Sequence, residues 1–209
     1  MVIITCIGGK FMLNKTVIDC SFPNVISKMR DIICKEIYSA MRKNREIVIL
    51  CIGTDRSTGD SLGPLVGEKL KFLVREKVHL YGDLKNPVHA KNLPDIILQI
   101  NNTYENPYVI AIDACLGKLD NIGNIIIDSR PLRPGSAMNK DLPTIGDLSI
   151  TGIVNMCGAL EFMVLQNTRL YTVMKLADYI SKGLYHSILK TVGGKNHLIY
   201  KTEKISKTN

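Results

Sequence analysis

A buried strand followed by a polar, glycine-rich loop is the feature that most constrains this chain. The segment comprises residues 47–67, IVILCIGTDRSTGDSLGPLVG. Its first seven residues form an apolar run, which is typical of a strand buried on both faces. A helix is predicted to begin near Gly63 and Pro64. Because ligands in an open α/β sheet bind at the carboxyl ends of strands, Asp60 is expected to lie where a carboxylate can act.

A second acidic residue follows a second apolar strand. Residues 108–112 read YVIAI, and Asp113 comes directly after them. If the two strands are neighbours, Asp60 and Asp113 face the same crevice and share a proton, so that one carboxyl group serves as a general base while the other donates. The alternative is that Asp60 caps the following helix, since Asp is a favoured capping residue, and that Asp113 supports a neighbouring loop.

The order of elements predicts the fold class. After a short amino-terminal strand or hairpin, helical spacing of apolar residues indicates an amphipathic helix over residues 25–41. Further strands are predicted at 47–53, 77–81 (an edge strand), 108–113, 124–128 and 148–154, and further helices at 63–75, 92–104, 156–167 and 170–190. Strands that alternate with helices predict a three-layer α/β/α sandwich with a mostly parallel central sheet. We expect residues 1–209 to form a single domain that ends in a basic tail at 190–209.

Composition excludes several classes of protein. The chain has 209 residues, of which 45% are hydrophobic and 22% charged, and no apolar segment approaches the length of a membrane span. A cytoplasmic protein is therefore expected. The formal net charge is +8, but residues 190–209 hold five lysines and one glutamate, a net +4, which is half of the total. This concentration in a terminal tail, without any nucleic-acid-binding motif, argues against a nucleic-acid partner.

Cysteine and histidine patterns predict no metal or cofactor. The six cysteines include no CxxC pair, and none of the four histidines, at positions 79, 89, 186 and 197, is spaced with a carboxylate as in a known metal site. Reduced, structural cysteines are expected. Cys115, two residues after Asp113, could act as a nucleophile only with a nearby base, which the sequence does not supply.

Two loops are candidates for binding a substrate. The first follows the strand at 47–53 and matches neither nucleotide-binding fingerprint. The second, residues 130–147, is long, polar and rich in Pro and Gly, which indicates an ordered flap or substrate wall. The candidate substrate-binding residues are Thr54, Asp55, Arg56 and Ser57 in the first loop and Gly135, Ser136, Asn139 and Lys140 in the second.

Four segments together resemble a known family. These are GTDRSTGDSLGP, PDIILQINNTYENPYVIAIDA, RPLRPGSAMNK and SITGIVN, in this order between residues 45 and 165. They resemble the YyaC family of sporulation proteins, which is similar to the spore germination protease and to the hydrogenase maturation endopeptidases. The resemblance implies that the two functional aspartates are Asp60 and Asp113. In the hydrogenase maturation enzymes the corresponding carboxylates help to hold nickel with a later His. This chain has no His between His89 and His186, so the resemblance implies a metal-free acid pair.

The predicted function is that of a sporulation-associated, aspartate-dependent endopeptidase, with Asp60 and Asp113 as the catalytic pair and a protein or peptide, such as a spore protein, as the substrate. A non-catalytic protein that binds a peptide or partner on the same protease-like fold is the alternative. Metal-assisted hydrolysis with a distant His is a third hypothesis. The resemblance places the chain in the cytoplasm of a sporulating cell or inside the spore, and self-association into a homo-oligomer is left open.

Overall fold

The computed structural model describes residues 3–7, 10–73, 75–132, 144–158 and 160–193, with side chains from residue 15 onward. The strands are β1 (Ile3–Ile7), β2 (Lys10–Ile18), β3 (Ile47–Cys51), β4 (Val78–Tyr81), β5 (Tyr108–Gly117), β6 (Ile125–Asp128) and β7 (Leu148–Met156). The helices are α1 (Val25–Arg42), α2 (Leu62–Leu70), α3 (Leu93–Thr103), α4 (Glu161–Gln166) and α5 (Leu170–Thr191), with short 3-10 turns at Gly59–Ser61 and Leu119–Asn121. None of the described helices has the length and apolar content needed to cross a membrane.

The described strands form one sheet in the order β1-β2-β6-β7-β5-β3-β4. Strands β7, β5, β3 and β4 are parallel to one another. Strand β6 is antiparallel to β7, and β2 is antiparallel to β6, so β2 points in the same direction as the four parallel strands. The mostly parallel sheet, the amino-terminal hairpin of β1 and β2, and the edge position of β4 are confirmed.

Each face of the sheet is covered by helices. On one face, α1, α2 and α5 pack on a core that includes Ile47 and Ile49 of β3. On the other face, α3 packs on a smaller core that includes Val48 and Leu50 of the same strand. Consecutive residues of β3 therefore contact opposite helical layers, and all five of its residues are buried. The three-layer α/β/α sandwich and the doubly buried strand are confirmed.

The chain reverses its direction of winding between β3 and β5. From β3 it passes through α2 to β4 on one side, and then returns through α3 to β5 on the other side of β3. In doubly wound folds the carboxyl ends of two such strands border a crevice in which ligands bind. Asp60 follows β3 and Asp113 lies on β5, so both acidic residues come from the two strands at this switch point.

Several element boundaries differ from those predicted, and α2, for example, ends at Leu70 rather than near residue 75. Strand β5 does not end at Asp113 but continues to Gly117, because residues 113–117 pair with 151–156 of β7 after the pairing of β5 with β3 has ended at Ile112. Strand β7 correspondingly continues to Met156, and α4 begins only at Glu161. The two strands therefore project past the end of β3, and Asp113 lies at the start of this projection. Most of the predicted basic tail, residues 194–209, lies outside the described residues.

Candidate active site

The backbone of Asp60 is held against the end of β3 by a close approach of the chain. Gly53 has a φ of 138°, and its N–H donates to the carbonyl oxygen of Val88 at 2.7 Å. A Cβ atom at Gly53 would lie 2.0 Å from the carbonyl oxygen of Asp60, which also accepts the N–H of Thr54 at 3.1 Å. The N-cap of α2 is Ser61, so Asp60 does not occupy the capping position. Its half-buried side chain belongs to the 3-10 turn at the crevice.

Asp113 is a buried carboxyl group, with only 7% of its surface exposed. One of its oxygens, Oδ1, accepts the N–H of Ala114 at 2.8 Å. Burial raises the pKa of Asp113 well above its ordinary value, the negative charge of Asp60 raises it further, and the Ala114 hydrogen bond lowers it by less. The structure thus brings Asp60 and Asp113 within electrostatic reach of each other, although 52 residues separate them in the sequence. Such a pair favours one shared proton.

Cys115 lies beyond Asp113 on the same strand, with its thiol partly buried. Burial raises the pKa of this thiol to about 11, although a hydrogen bond with Thr151 lowers it in part. At neutral pH the sulfur therefore keeps its proton, whereas a nucleophilic cysteine acts as the thiolate. Of the chemically competent side chains on this strand, the carboxyl group of Asp113 is the better suited to react.

The four predicted binding residues of the loop after β3 differ in their exposure and in their hydrogen bonds. The side chains of Asp55 and Arg56 are exposed and free to contact a ligand. Thr54 is half-buried, and its Oγ1 accepts the N–H of Arg56 at 3.3 Å. Ser57 is only 8% exposed, and its buried hydroxyl has no hydrogen-bond partner. This loop therefore holds one polar group that a ligand or a small rearrangement could satisfy.

The second predicted binding loop is described only at its ends. Gly135, Ser136, Asn139 and Lys140 lie outside the described residues. Leu132 and Ile145 pair with each other through reciprocal backbone hydrogen bonds of 2.8 and 2.9 Å, which closes the base of the loop. A Cβ at Gly146 would meet the Cβ of Ala111 at 3.1 Å and the carbonyl oxygen of Val109 at 3.2 Å, so this base lies beside the part of β5 that precedes Asp113.

A group of hydrogen bonds beside the Asp60 turn was not identified by sequence analysis. We call it the clamp, and it consists of Asn155, Val164 and Thr168. Asn155, near the end of β7, donates to the carbonyl oxygen of Val164 and to Oγ1 of Thr168, both at 3.3 Å. A Cβ at Gly59 would lie 2.9 Å from Oγ1 of Thr168, so the turn packs directly on the end of α4. The clamp therefore connects the strand beside Asp113 with the turn that carries Asp60. In the sequence, the sign of this clamp is a single residue, Asn155, that follows an apolar run, and this pattern is equally typical of a helix cap.

In the described part of the chain, the side chains that could bind a metal ion do not form a complete site. No group of three His, Cys, Asp or Glu side chains there is arranged to hold an ion. His79 pairs with Glu46 at 2.5 Å and stacks on Tyr104, far along the sheet from Asp113. His89 follows Val88 near the crevice, and its Nδ1 accepts the N–H of Lys91 at 3.3 Å. His197 lies outside the described residues.

Two serines of the Asp60 loop are expected to respond in opposite ways to truncation. Ser57→Ala removes a buried hydroxyl without a partner, so we expect the free energy of unfolding to rise by roughly 1 kcal/mol. Ser61→Ala is the matched control, because the Ser61 hydroxyl donates to the carbonyl oxygen of Thr58 at 2.7 Å; here we expect a loss of roughly 1 kcal/mol. Urea unfolding of both variants measures the difference, and equal losses in the two would contradict the assignment.

Comparison with known proteins identifies the family. Residues 17–183 match the model of the family described as "Protein of unknown function (DUF1256)", and the chain belongs to that family. It is 53% identical over 148 residues to "Uncharacterized protein YyaC" of Bacillus subtilis (strain 168), a match that covers 70% of this chain and 72% of that protein. The predicted YyaC relationship is therefore confirmed. Among solved structures, the chain is similar to the [NiFe] hydrogenase maturation protease HycI from Thermococcus kodakarensis KOD1, at 22% identity and a TM-score of 0.46, over 69% of this chain and 92% of that one.

Proposed function

We propose that this protein is an aspartate-dependent endopeptidase that cleaves a protein substrate, with Asp60 and Asp113 as its catalytic pair. The observation that carries the proposal is the buried Asp113 carboxyl group, whose pKa is raised by burial and by Asp60 at the switch point of the sheet. Two carboxyl groups with different environments are a recurring arrangement for acid and base chemistry on one substrate. On the resemblance to the YyaC family of sporulation proteins, we extend the proposal to a substrate that is made during sporulation or consumed at germination, in the sporulating cell or the spore.

The two aspartates have different roles in the proposed reaction because their surroundings differ. Asp60, which is half-buried, enters as the carboxylate and takes a proton from water while the water oxygen adds to the amide carbonyl carbon. Asp113, which is buried and whose pKa is raised, carries the shared proton in this mechanism and donates it to the carbonyl oxygen. When the tetrahedral intermediate collapses, the C–N bond breaks, Asp60 returns a proton to the leaving nitrogen, and the carbonyl oxygen returns its proton to Asp113. One water is consumed, and the pair regains its starting state.

The surroundings of the pair suit an extended peptide. The exposed side chains of Asp55 and Arg56 lie on the loop that carries Asp60, where they can contact residues on either side of the scissile bond. Thr54 and the hydroxyl of Ser57 are assigned to the same binding loop. The loop at 130–147 is proposed as the opposite wall, with Gly135, Ser136, Asn139 and Lys140 as its contacts.

The test is a search for new peptide termini in a protein extract from sporulating Bacillus subtilis, the source of the 53% identical relative. The extract is incubated with the purified chain in water enriched in oxygen-18, and amino termini are labelled and identified by mass spectrometry. We expect new amino termini, each paired with a carboxyl terminus that carries one heavy oxygen. Asp60→Asn should produce none, whereas the control Glu105→Gln, which changes an exposed acid between α3 and the start of β5, should keep the wild-type pattern.

The other two hypotheses predict different results in this experiment. If the chain only binds a partner, wild type and Asp60→Asn produce no new termini and retain the same intact protein. If a metal assists hydrolysis, a chelator stops cleavage by the wild type, and the purified protein contains the metal. Cleavage that survives chelation and requires Asp60 supports the metal-free pair.

A further inference from the structure

Exposed apolar side chains concentrate where α4 meets α5. Of the fourteen large hydrophobic side chains that are exposed in the described part of the chain, six lie within residues 160–174. This set, which we call the α4–α5 corner, consists of Leu160, Phe162, Met163, Leu170, Tyr171 and Met174, with exposed fractions from 36% to 71%. At about 200 Å² for a large side chain, these fractions correspond to roughly 700 Å².

The corner borders a charged cleft. Arg169 and Tyr171 line a cavity of about 470 Å³ between the start of α5 and the chain segments around residues 20 and 122. The guanidinium group of Arg169 lies 5.6 Å from the ring centre of Tyr171. Aromatic residues, Met and Arg are the types enriched in the cores of protein interfaces, and the corner with its border contains all of them. Its composition is thus that of an interface rather than of ordinary surface.

The charges at this border are balanced, although the chain as a whole carries +8. The cleft is lined by the acids Asp19 and Asp120 and by the cations Arg169 and Lys175. A strongly acidic or strongly basic partner would meet repulsion from one half of this set. A second copy of the same surface, related by a two-fold axis, can place cations opposite acids in both directions, because each contact in such an interface occurs twice. The charge pattern therefore favours self-association over a partner of one charge sign.

We propose that two copies of this chain associate through the α4–α5 corner about a two-fold axis. The estimated apolar area approaches the ~800 Å² that each partner contributes to a stable interface of standard size. The proposal does not depend on the peptidase function. It places the second copy next to the candidate active site, since Leu165 of α4 packs against the turn that holds Asp60, 2.8 Å from a Cβ at Gly59.

Sedimentation velocity of the full chain over a range of concentrations tests the proposal. We expect a species with twice the 23.3 kDa mass of one chain. The double variant Phe162→Glu with Tyr171→Glu should raise the dimer dissociation constant at least about 30-fold, the effect of losing an interface hot spot. Leu98→Glu is the matched control, because Leu98 is 61% exposed on α3, on the opposite face of the sheet, and its dimer should persist.

Circular dichroism of all variants checks that they keep the wild-type fold, as expected for substitutions of exposed side chains. A wild-type protein that stays monomeric at every concentration would overturn the proposal. A dimer that survives the corner substitutions would overturn it too, because another surface must then hold the copies together.

Discussion

A chain that carries both Asp60→Asn and Asp113→Asn is expected to hydrolyse peptide bonds no more slowly than either single variant. Each single substitution should lower kcat/KM by roughly 100- to 10,000-fold, the range for loss of a general acid or base. The two effects should not multiply, because in the proposed mechanism the carboxyl groups act as a unit with one shared proton, and losing either one impairs the same step. The rates of formation of a cleaved peptide identified in the extract experiment measure this double-mutant cycle.

The loss of activity expected for Asp113→Asn should not result from unfolding of the variant. The pKa of Asp113 in the folded chain lies above its ordinary value of 3.8, so the folded chain holds this proton more tightly than the unfolded chain does. The corresponding stability is fully present below pH ~3.8 and is lost as the pH rises through the folded pKa. Asparagine carries no charge and avoids that loss, so the variant should be at least as stable as wild type at neutral pH. If the two substitutions lowered kcat/KM independently, so that their effects multiplied in the double variant, the shared-proton pair would be contradicted.

Gly63→Ala is expected to destabilise the fold by about 4 kcal/mol, among the largest effects of a single substitution. Gly63 lies in the first turn of α2, where a Cβ would come within 2.0 Å of the carbonyl oxygen of Ile52. That oxygen belongs to the backbone just after β3, so neither side can move without displacing the turn that carries Asp60. Helix propensity alone predicts the opposite sign, a gain of about 1 kcal/mol for alanine over glycine. Urea unfolding therefore distinguishes close packing from propensity.

Gly158→Ala provides the control for this experiment. Nothing lies within 4 Å of a Cβ at Gly158, so we expect a change of less than about 0.5 kcal/mol, as for ordinary surface positions. If Gly63→Ala were as harmless as Gly158→Ala, the close approach between α2 and the end of β3 would be wrong, and with it the placement of Asp60.

The parts of this fold that were predictable from sequence are those with a strong local pattern. The run at 47–53 has no polar alternation, and such a strand must be covered on both faces, which predicts helices on each side of a parallel sheet. The rule that ligands bind at the carboxyl ends of strands then sufficed to expect Asp60 and Asp113 in one crevice. Neither inference required knowledge of long-range contacts, because strand direction and burial already constrain where a following loop can go.

The details of the site depended on contacts that the local pattern does not encode. Strand β5 continues past Asp113 because β7 supplies pairing partners for residues 113–117, and a single strand's sequence does not reveal its neighbour's length. That extension buries Asp113, which was expected at an open strand end. Asn155 donates to Thr168, and Thr168 in turn packs against the turn that carries Asp60, so these contacts join three separate parts of the chain and no spacing along the sequence could indicate them.

The central claim, that Asp60 and Asp113 form one acid pair, is tested most directly by NMR titration of the Asp113 side-chain carboxyl carbon in the wild type and in Asp60→Asn. We predict that the pKa of Asp113 in the wild type lies well above 3.8 and that it falls in Asp60→Asn, because the neighbouring negative charge is gone. It should remain above 3.8 in the variant, since burial is the larger cause of the shift. An Asp113 carboxyl group that titrates at its ordinary pKa, or that titrates identically in both proteins, would contradict the account.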